Sequence, residues 1–173
     1  MKTKISILFL LLLMCSITLF AQEKSKKQIK EEKKLEKQKQ VQTMMNERVF
    51  IFTARTALPQ GYKTVNLNSN MYTVDFSPAK IVSYLPYYGR AYSGVSYGGD
   101  DGLKFEGTPE DFTVTTGKKN YSAKAEVKSE KEVYKLMLTV GFEGSATLTV
   151  SSNNRSSISF NGEISAPEKK PAP

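Results

Sequence analysis

Residues 84–98 read Tyr-Leu-Pro-Tyr-Tyr-Gly-Arg-Ala-Tyr-Ser-Gly-Val-Ser-Tyr-Gly, which gathers five of the nine tyrosines and Arg90 into fifteen positions. Tyr84, Tyr87, Tyr88, Tyr92 and Tyr97 supply large, stiff rings with a polar tip, the residue type that dominates recognition surfaces together with arginine. Aromatic planes stack on sugar rings, and a guanidinium group grips a carboxylate through two parallel hydrogen bonds. Pro86 fixes its own φ and has no amide proton to donate, while Gly89, Gly94, Gly98 and Gly99 break regular structure, so this stretch is a loop and not a central strand. Two uses of such a loop stand side by side. The rings can cap an open end or face of a sheet, with their hydroxyls and Arg90 bonded back to the protein. They can equally present a binding surface for a small molecule or an envelope protein.

The residue types that are missing narrow the chemistry further. The chain contains no histidine and no tryptophan, and its one cysteine, Cys15, sits inside an apolar N-terminal run. The usual zinc, copper and non-haem iron ligand sets cannot be assembled from what remains, so no metal site and no cofactor are expected. Mechanisms that need an imidazole base are excluded as well, and a non-catalytic protein is expected. A hydrolase built on carboxylates is the alternative. Asp75, Glu106, Asp111, Glu126 and Glu143 are its candidates, although nothing in their linear spacing selects a pair roughly 5–10 Å apart. Gly98-Gly99-Asp100-Asp101-Gly102 has oxygen ligands on a flexible turn but lacks the ligand spacing of a calcium loop, and reads as an ordinary turn.

The elements that must position these groups begin after a leader. Lys2 and Lys4 precede the nearly uninterrupted apolar run Ile5 to Phe20, and Ala21 precedes the polar Gln22-Glu23-Lys24. That is the layout of a secretory signal peptide over residues 1–21, too short for the roughly 20 apolar residues of a spanning helix. Cys15 lies within the run and not at its end, so it reads as an apolar member of the leader and not as a lipidation site. An exported protein of the periplasm or cell envelope is expected, with no transmembrane span and no disulfide in its mature form.

The net charge of +8 is unevenly placed. Residues 22–48 carry nine basic and five acidic side chains, whereas residues 49–164 carry twelve and eleven. The larger part is therefore nearly neutral, and a nucleic-acid partner is not expected. Residues 22–48 contain no Gly or Pro and consist of strong helix formers, with Glu31 and Lys34, and Glu36 and Lys39, spaced to meet on one face. Ile29, Leu35, Val41, Met44 and Met45 are too sparse for a heptad seam. A charged helix is expected whose last turns dock on the domain that follows; a scaffold role through this helix is a further alternative.

From Val49 onward the texture is that of short β-branched or alternating runs separated by turn residues. The runs are 49–54, 63–67, 71–76, 80–85, 103–106, 111–116, 121–128, 133–140, 146–150 and 156–164. Eight to ten strands at this spacing predict an all-β, antiparallel sandwich or barrel over residues 49–164. Its core is expected to include Phe50, Phe52, Val74, Phe76, Val82, Phe105, Phe112, Val114, Leu136, Leu138, Val140, Leu148, Val150, Ile158 and Phe160. Residues 165–173 form a Pro-rich tail, expected to be disordered.

The stretch Ser83-Tyr84-Leu85-Pro86-Tyr87-Tyr88-Gly89-Arg90-Ala91 resembles the signature of the domain-of-unknown-function 4251 family, exported proteins of Bacteroidetes-type bacteria. The resemblance extends to Phe50-Ile51-Phe52-Thr53-Ala54, to Gly102-Leu103-Lys104-Phe105 and to Asn154-Arg155-Ser156-Ile158, with Tyr88 standing where phenylalanine is expected. It implies a β-rich exported domain and carries no activity, because the family has none assigned.

Overall fold

A computed structural model describes residues 26–92, 102–129 and 132–167. The chain divides into one unit up to Leu35 and a second from Glu36 onward. Helix α1 (Lys26–Glu47) begins in the first and ends in the second. In the first unit it is exposed at every described position, as its charged sequence requires. In the second it buries Val41, Met44 and Met45, which at i, i+3 and i+4 form one stripe. Val41 packs over Gly144, in the turn between the eighth and ninth strands.

The helix stops on Arg48, whose φ of 58° is left-handed, and the Val49 amide donates back to the Met44 carbonyl at 3.2 Å. Glycine usually takes that position. Arg48 is held there by its side chain, which donates to the Phe112 carbonyl at 2.9 Å and lies 6.0 Å from the Phe112 ring centre.

Ten strands follow: β1 (Phe50–Pro59), β2 (Val65–Asn66), β3 (Thr73–Phe76), β4 (Ile81–Leu85), β5 (Leu103–Gly107), β6 (Pro109–Thr116), β7 (Asn120–Lys128), β8 (Val133–Gly141), β9 (Ser145–Ser152) and β10 (Ile158–Ser165). Every pairing is antiparallel, in the order β5-β4-β3-β1-β10-β9-β8-β7-β6, with the short β2 beside the second half of β1. The first long strand thus pairs with the last. The sheet curls until β5 approaches β7, which gives a nearly closed barrel of nine strands and confirms the expected all-β architecture.

Alternation puts apolar side chains inside and polar ones outside. β7 buries Tyr121, Ala123, Ala125 and Val127, and β8 buries Tyr134, Leu136, Leu138 and Val140, while Lys124, Glu126 and Lys135 face out. The interior is filled by stacked rings, including Phe50 on Phe76 at 4.8 Å and Phe105 on Tyr134 at 4.0 Å between centroids. No described helix is long and apolar enough to cross a membrane.

Two expected core members lie elsewhere. Val82 faces outward, because β4 turns Ile81, Ser83 and Leu85 to the interior; the buried Ser83 hydroxyl is satisfied by donating to the Leu103 carbonyl at 2.8 Å. Val114 is only partly buried at the margin of the core. β1 runs on past Ala54 to Pro59, with an irregularity at Arg55 that restarts its register on β10. Gly162 sits opposite this irregularity, and a Cβ there would strike the Thr53 carbonyl.

Candidate functional site

Pro86 ends β4, and residues 86–92 fold across the end of the barrel where β1 finishes and β9 gives way to β10. Tyr87 turns inward and becomes the pin of this loop. Its hydroxyl oxygen is 2.8 Å from the Arg90 carbonyl, 3.0 Å from the Ser156 carbonyl and 2.9 Å from Ser156 Oγ, so it donates to a carbonyl and can accept from the serine. The Arg90 amide donates to Ser156 Oγ at 3.0 Å, the Ser156 amide to the Arg90 carbonyl at 2.9 Å, and the Tyr92 amide to the Asn154 carbonyl at 2.8 Å. Ala91 and Arg155 complete an antiparallel bridge. The absence of a side chain at Gly89 is what lets the ring fold under, because a Cβ there would run into the Tyr87 hydroxyl and Ser156 Oγ.

Beneath the ring lies a buried ion pair. The Arg155 guanidinium is 5.2 Å from the Tyr87 ring centre, its Nε lies 3.1 and 3.2 Å from the two oxygens of Glu132, and its Nη1 reaches the Gly102 carbonyl at 3.5 Å. The Arg155 and Glu132 side chains are only 11% and 4% exposed. Next to them burial, reinforced by a hydrogen bond to Glu132, pushes the Tyr134 hydroxyl up to about 12. One cluster therefore ties three chain segments together: the loop after β4, the residue before β8 and the connection between β9 and β10.

The described tyrosines of the stretch stand in different surroundings. Tyr87 is half-buried with its hydroxyl bonded within the protein. Tyr84 lies on the outer face of β4, stacked on Tyr72 at 6.4 Å with the Lys104 ammonium 4.7 Å from its ring centre. Tyr88, Arg90 and Tyr92 face solvent, and Tyr97 lies outside the described residues, as do Asp100 and Asp101. Arg90 Nε reaches the hydroxyl of Tyr62, at 3.4 Å. Tyr62 and Tyr92 are 55% and 70% exposed, so Tyr62, Arg90 and Tyr92 make an open aromatic and cationic surface on the outside of the pinned loop.

Sequence reasoning missed Tyr62, Glu132, Arg155 and Ser156 as members of this end. Arg155 and Ser156 lie in one of the stretches that carried the family resemblance, which was the available signal. Glu132 gave none, because its partner is 23 positions away and meets it only through the barrel.

Among the candidate carboxylates, Asp111 and Glu126 line one cavity of about 310 Å³. Glu106 is paired with Lys80 at 2.8 Å, and Glu126 lies 3.9 Å from Lys135. Asp75 and Glu163 line one groove of about 930 Å³ between the last turns of α1 and the outer faces of β1, β3 and β10. Burial raises the Asp75 carboxyl above its ordinary value. Asp75 stands opposite Ile51 and Glu163 opposite Thr53, on the two strands flanking β1. Two strand spacings and two residues of rise put their backbones roughly 12 Å apart, and Glu163 is held by Arg55 at 2.7 Å. Among the described residues no cluster of three or more acidic side chains is placed to hold a metal ion.

Comparison with known proteins agrees with this architecture. No curated protein matches the chain. The crystal structure of a DUF4251 family protein from Bacteroides eggerthii DSM 20697, at 1.95 Å resolution, superposes with a TM-score of 0.60 at 18% identity, covering 75% of this chain and 87% of that one. It shares the fold. The family model described as "Domain of unknown function (DUF4251)" matches residues 32–164, most of the helix and nearly the whole barrel, and the chain belongs to that family.

Proposed function

We propose that this is an exported, non-catalytic binding protein of the cell envelope, which recognises its ligand or partner through the outer surface of the loop after β4. The observation that carries the reading is the division of labour inside that loop. The Tyr87 hydroxyl is bonded to the backbone, while Tyr62, Tyr88, Arg90 and Tyr92 are exposed, so part of their aromatic and cationic surface is open to a partner. A fixed backbone under exposed rings lowers the entropic cost of binding. Tyr97 belongs to the proposed surface by its place in the sequence, and Tyr84 flanks it on the β4 exterior. The leader, Lys2 to Ala21, supports export; N-terminal sequencing of protein recovered from the envelope is expected to begin at Gln22.

The test is a binding screen with saccharides and envelope peptides, read by tyrosine fluorescence, which no tryptophan obscures. The triple variant Tyr62→Ala/Arg90→Ala/Tyr92→Ala is expected to keep its melting temperature within a few degrees and lose binding by about tenfold or more. A ligand that binds wild type and triple variant equally would place recognition elsewhere on the molecule.

A further inference from the structure

The chain has four arginines, and three of them bond their guanidinium groups to other residues' carbonyl, amide or carboxylate oxygens. Arg48 donates to the Phe112 carbonyl, Arg55 to Glu163 and Asn70, and Arg155 to Glu132. Arg90 is different. Among the described residues it has no carboxylate partner; its Nε faces the Tyr62 hydroxyl at 3.4 Å, which leaves the Nη1 and Nη2 edge of the fork turned to solvent. Yet its backbone is among the best-held parts of the loop, bonded to Ser156 through both its amide and its carbonyl, with the Ala91 and Arg155 bridge immediately after it. An arginine fixed at its root, with its fork unspent beside the Tyr62 hydroxyl and two residues from the exposed Tyr92, is prepared for an anion.

The shape of the surface narrows the ligand. Tyr62 and Tyr92 are more than half exposed, and none of Tyr62, Arg90 and Tyr92 lines the groove of about 930 Å³, so among the described residues this end offers ring faces and hydroxyls. Phenol rings beside a planar fork suit a hydroxyl-rich sugar ring that offers a C–H face for stacking and bears a planar carboxylate. We infer that Tyr62, Arg90 and Tyr92 form a subsite for a uronic-acid sugar within an acidic saccharide, with Arg90 forking the carboxylate and the tyrosines stacking on the pyranose rings. This rests on the proposed recognition surface and names its ligand class. A general polyanion fits less well, because residues 49–164 are nearly neutral and Arg90 is fixed at its backbone.

The experiment uses the whole protein as recovered from the cell envelope, with three probes: an oligogalacturonate, a hyaluronan oligosaccharide and the methyl ester of the oligogalacturonate. Esterification removes the charge and keeps the rings. At least one acidic probe is expected to bind, the ester about tenfold more weakly or worse, as for loss of a charge-assisted hydrogen-bonded pair. Arg90→Lys, which keeps the charge without the fork, is expected to lose most of the same factor, and Tyr92→Ala to weaken acid and ester alike. Melting curves establish that each variant is folded. Equal binding of acid and ester, with both lost in Tyr92→Ala, would overturn the carboxylate assignment and leave the recognition surface standing. Acid binding indifferent to both Arg90→Lys and Tyr92→Ala would place that ligand elsewhere and overturn the inference. Failure of both acidic probes to bind would overturn it too, while the wider screen still decides whether the surface recognises anything else.

Discussion

The Arg155 and Glu132 pair shows how one contact can be indispensable without being a large source of stability. Both charges are withdrawn from water, and their attraction mainly offsets that desolvation. Removing one partner leaves the other buried and alone. Arg155→Met is therefore expected to cost about 3–5 kcal/mol in chemical denaturation, whereas Arg155→Met with Glu132→Leu is expected to cost clearly less than the two single changes added together. Tyr134, beside the pair, gives a pH signature. Its hydroxyl is held near 12 in the fold, against about 10 in the unfolded chain. Between those values the unfolded chain releases a proton that the native state keeps, so stability declines as pH rises from about 10 towards 12. Tyr134→Phe, which has no proton to lose, is expected to flatten that part of the curve of stability against pH. Neither feature could be read from residue order, because Glu132 sits in a charged turn sequence, Ser-Glu-Lys-Glu, that looks wholly solvated.

At the scale of elements, much was legible, and the exceptions have physical reasons. β7 and β8 announce themselves by strict alternation, and the helix by its run of helix formers. β4 was harder, because Ile81-Val82-Ser83-Tyr84-Leu85 offers an apolar residue to either face; the sheet chose the parity that buries Ile81 and Leu85 and found the Ser83 hydroxyl a carbonyl. The length of β1 was concealed by the register break at Arg55, which no propensity encodes. Two predictions belong here. Met45 is fully buried and Leu35 is 57% exposed, so Met45→Ala is expected to cost about 2–5 kcal/mol and Leu35→Ala less than about 0.5 kcal/mol. Thermal melts of the two variants check the contrast. Gly162→Ala forces a methyl group into the Thr53 carbonyl across β1 and β10, and is expected to destabilise by about 2–4 kcal/mol. A near-neutral result would mean that the two strands separate there at little cost.

For the molecule as a whole, barrel or sandwich was as far as the strand count could reach. The choice is made by closure: β1 pairs with β10 across the length of the domain, and the far end is finished by a loop whose ring, backbone and buried ion pair lock onto the β9 to β10 connection. The tyrosine cluster marked that loop, in which the Tyr87 hydroxyl is bonded to the backbone while Arg90 and Tyr92 are exposed. The central claim is that the outward groups stand on a rigid support. Amide hydrogen exchange measures it most directly, at the Arg90 and Tyr92 amides bonded to Ser156 and Asn154. These two amides are expected to be protected in the wild-type protein to a degree approaching the barrel strands, and to lose that protection in Tyr87→Ala while the strands keep theirs. Exchange of both amides at the rate of an unstructured chain in the wild type would contradict the account.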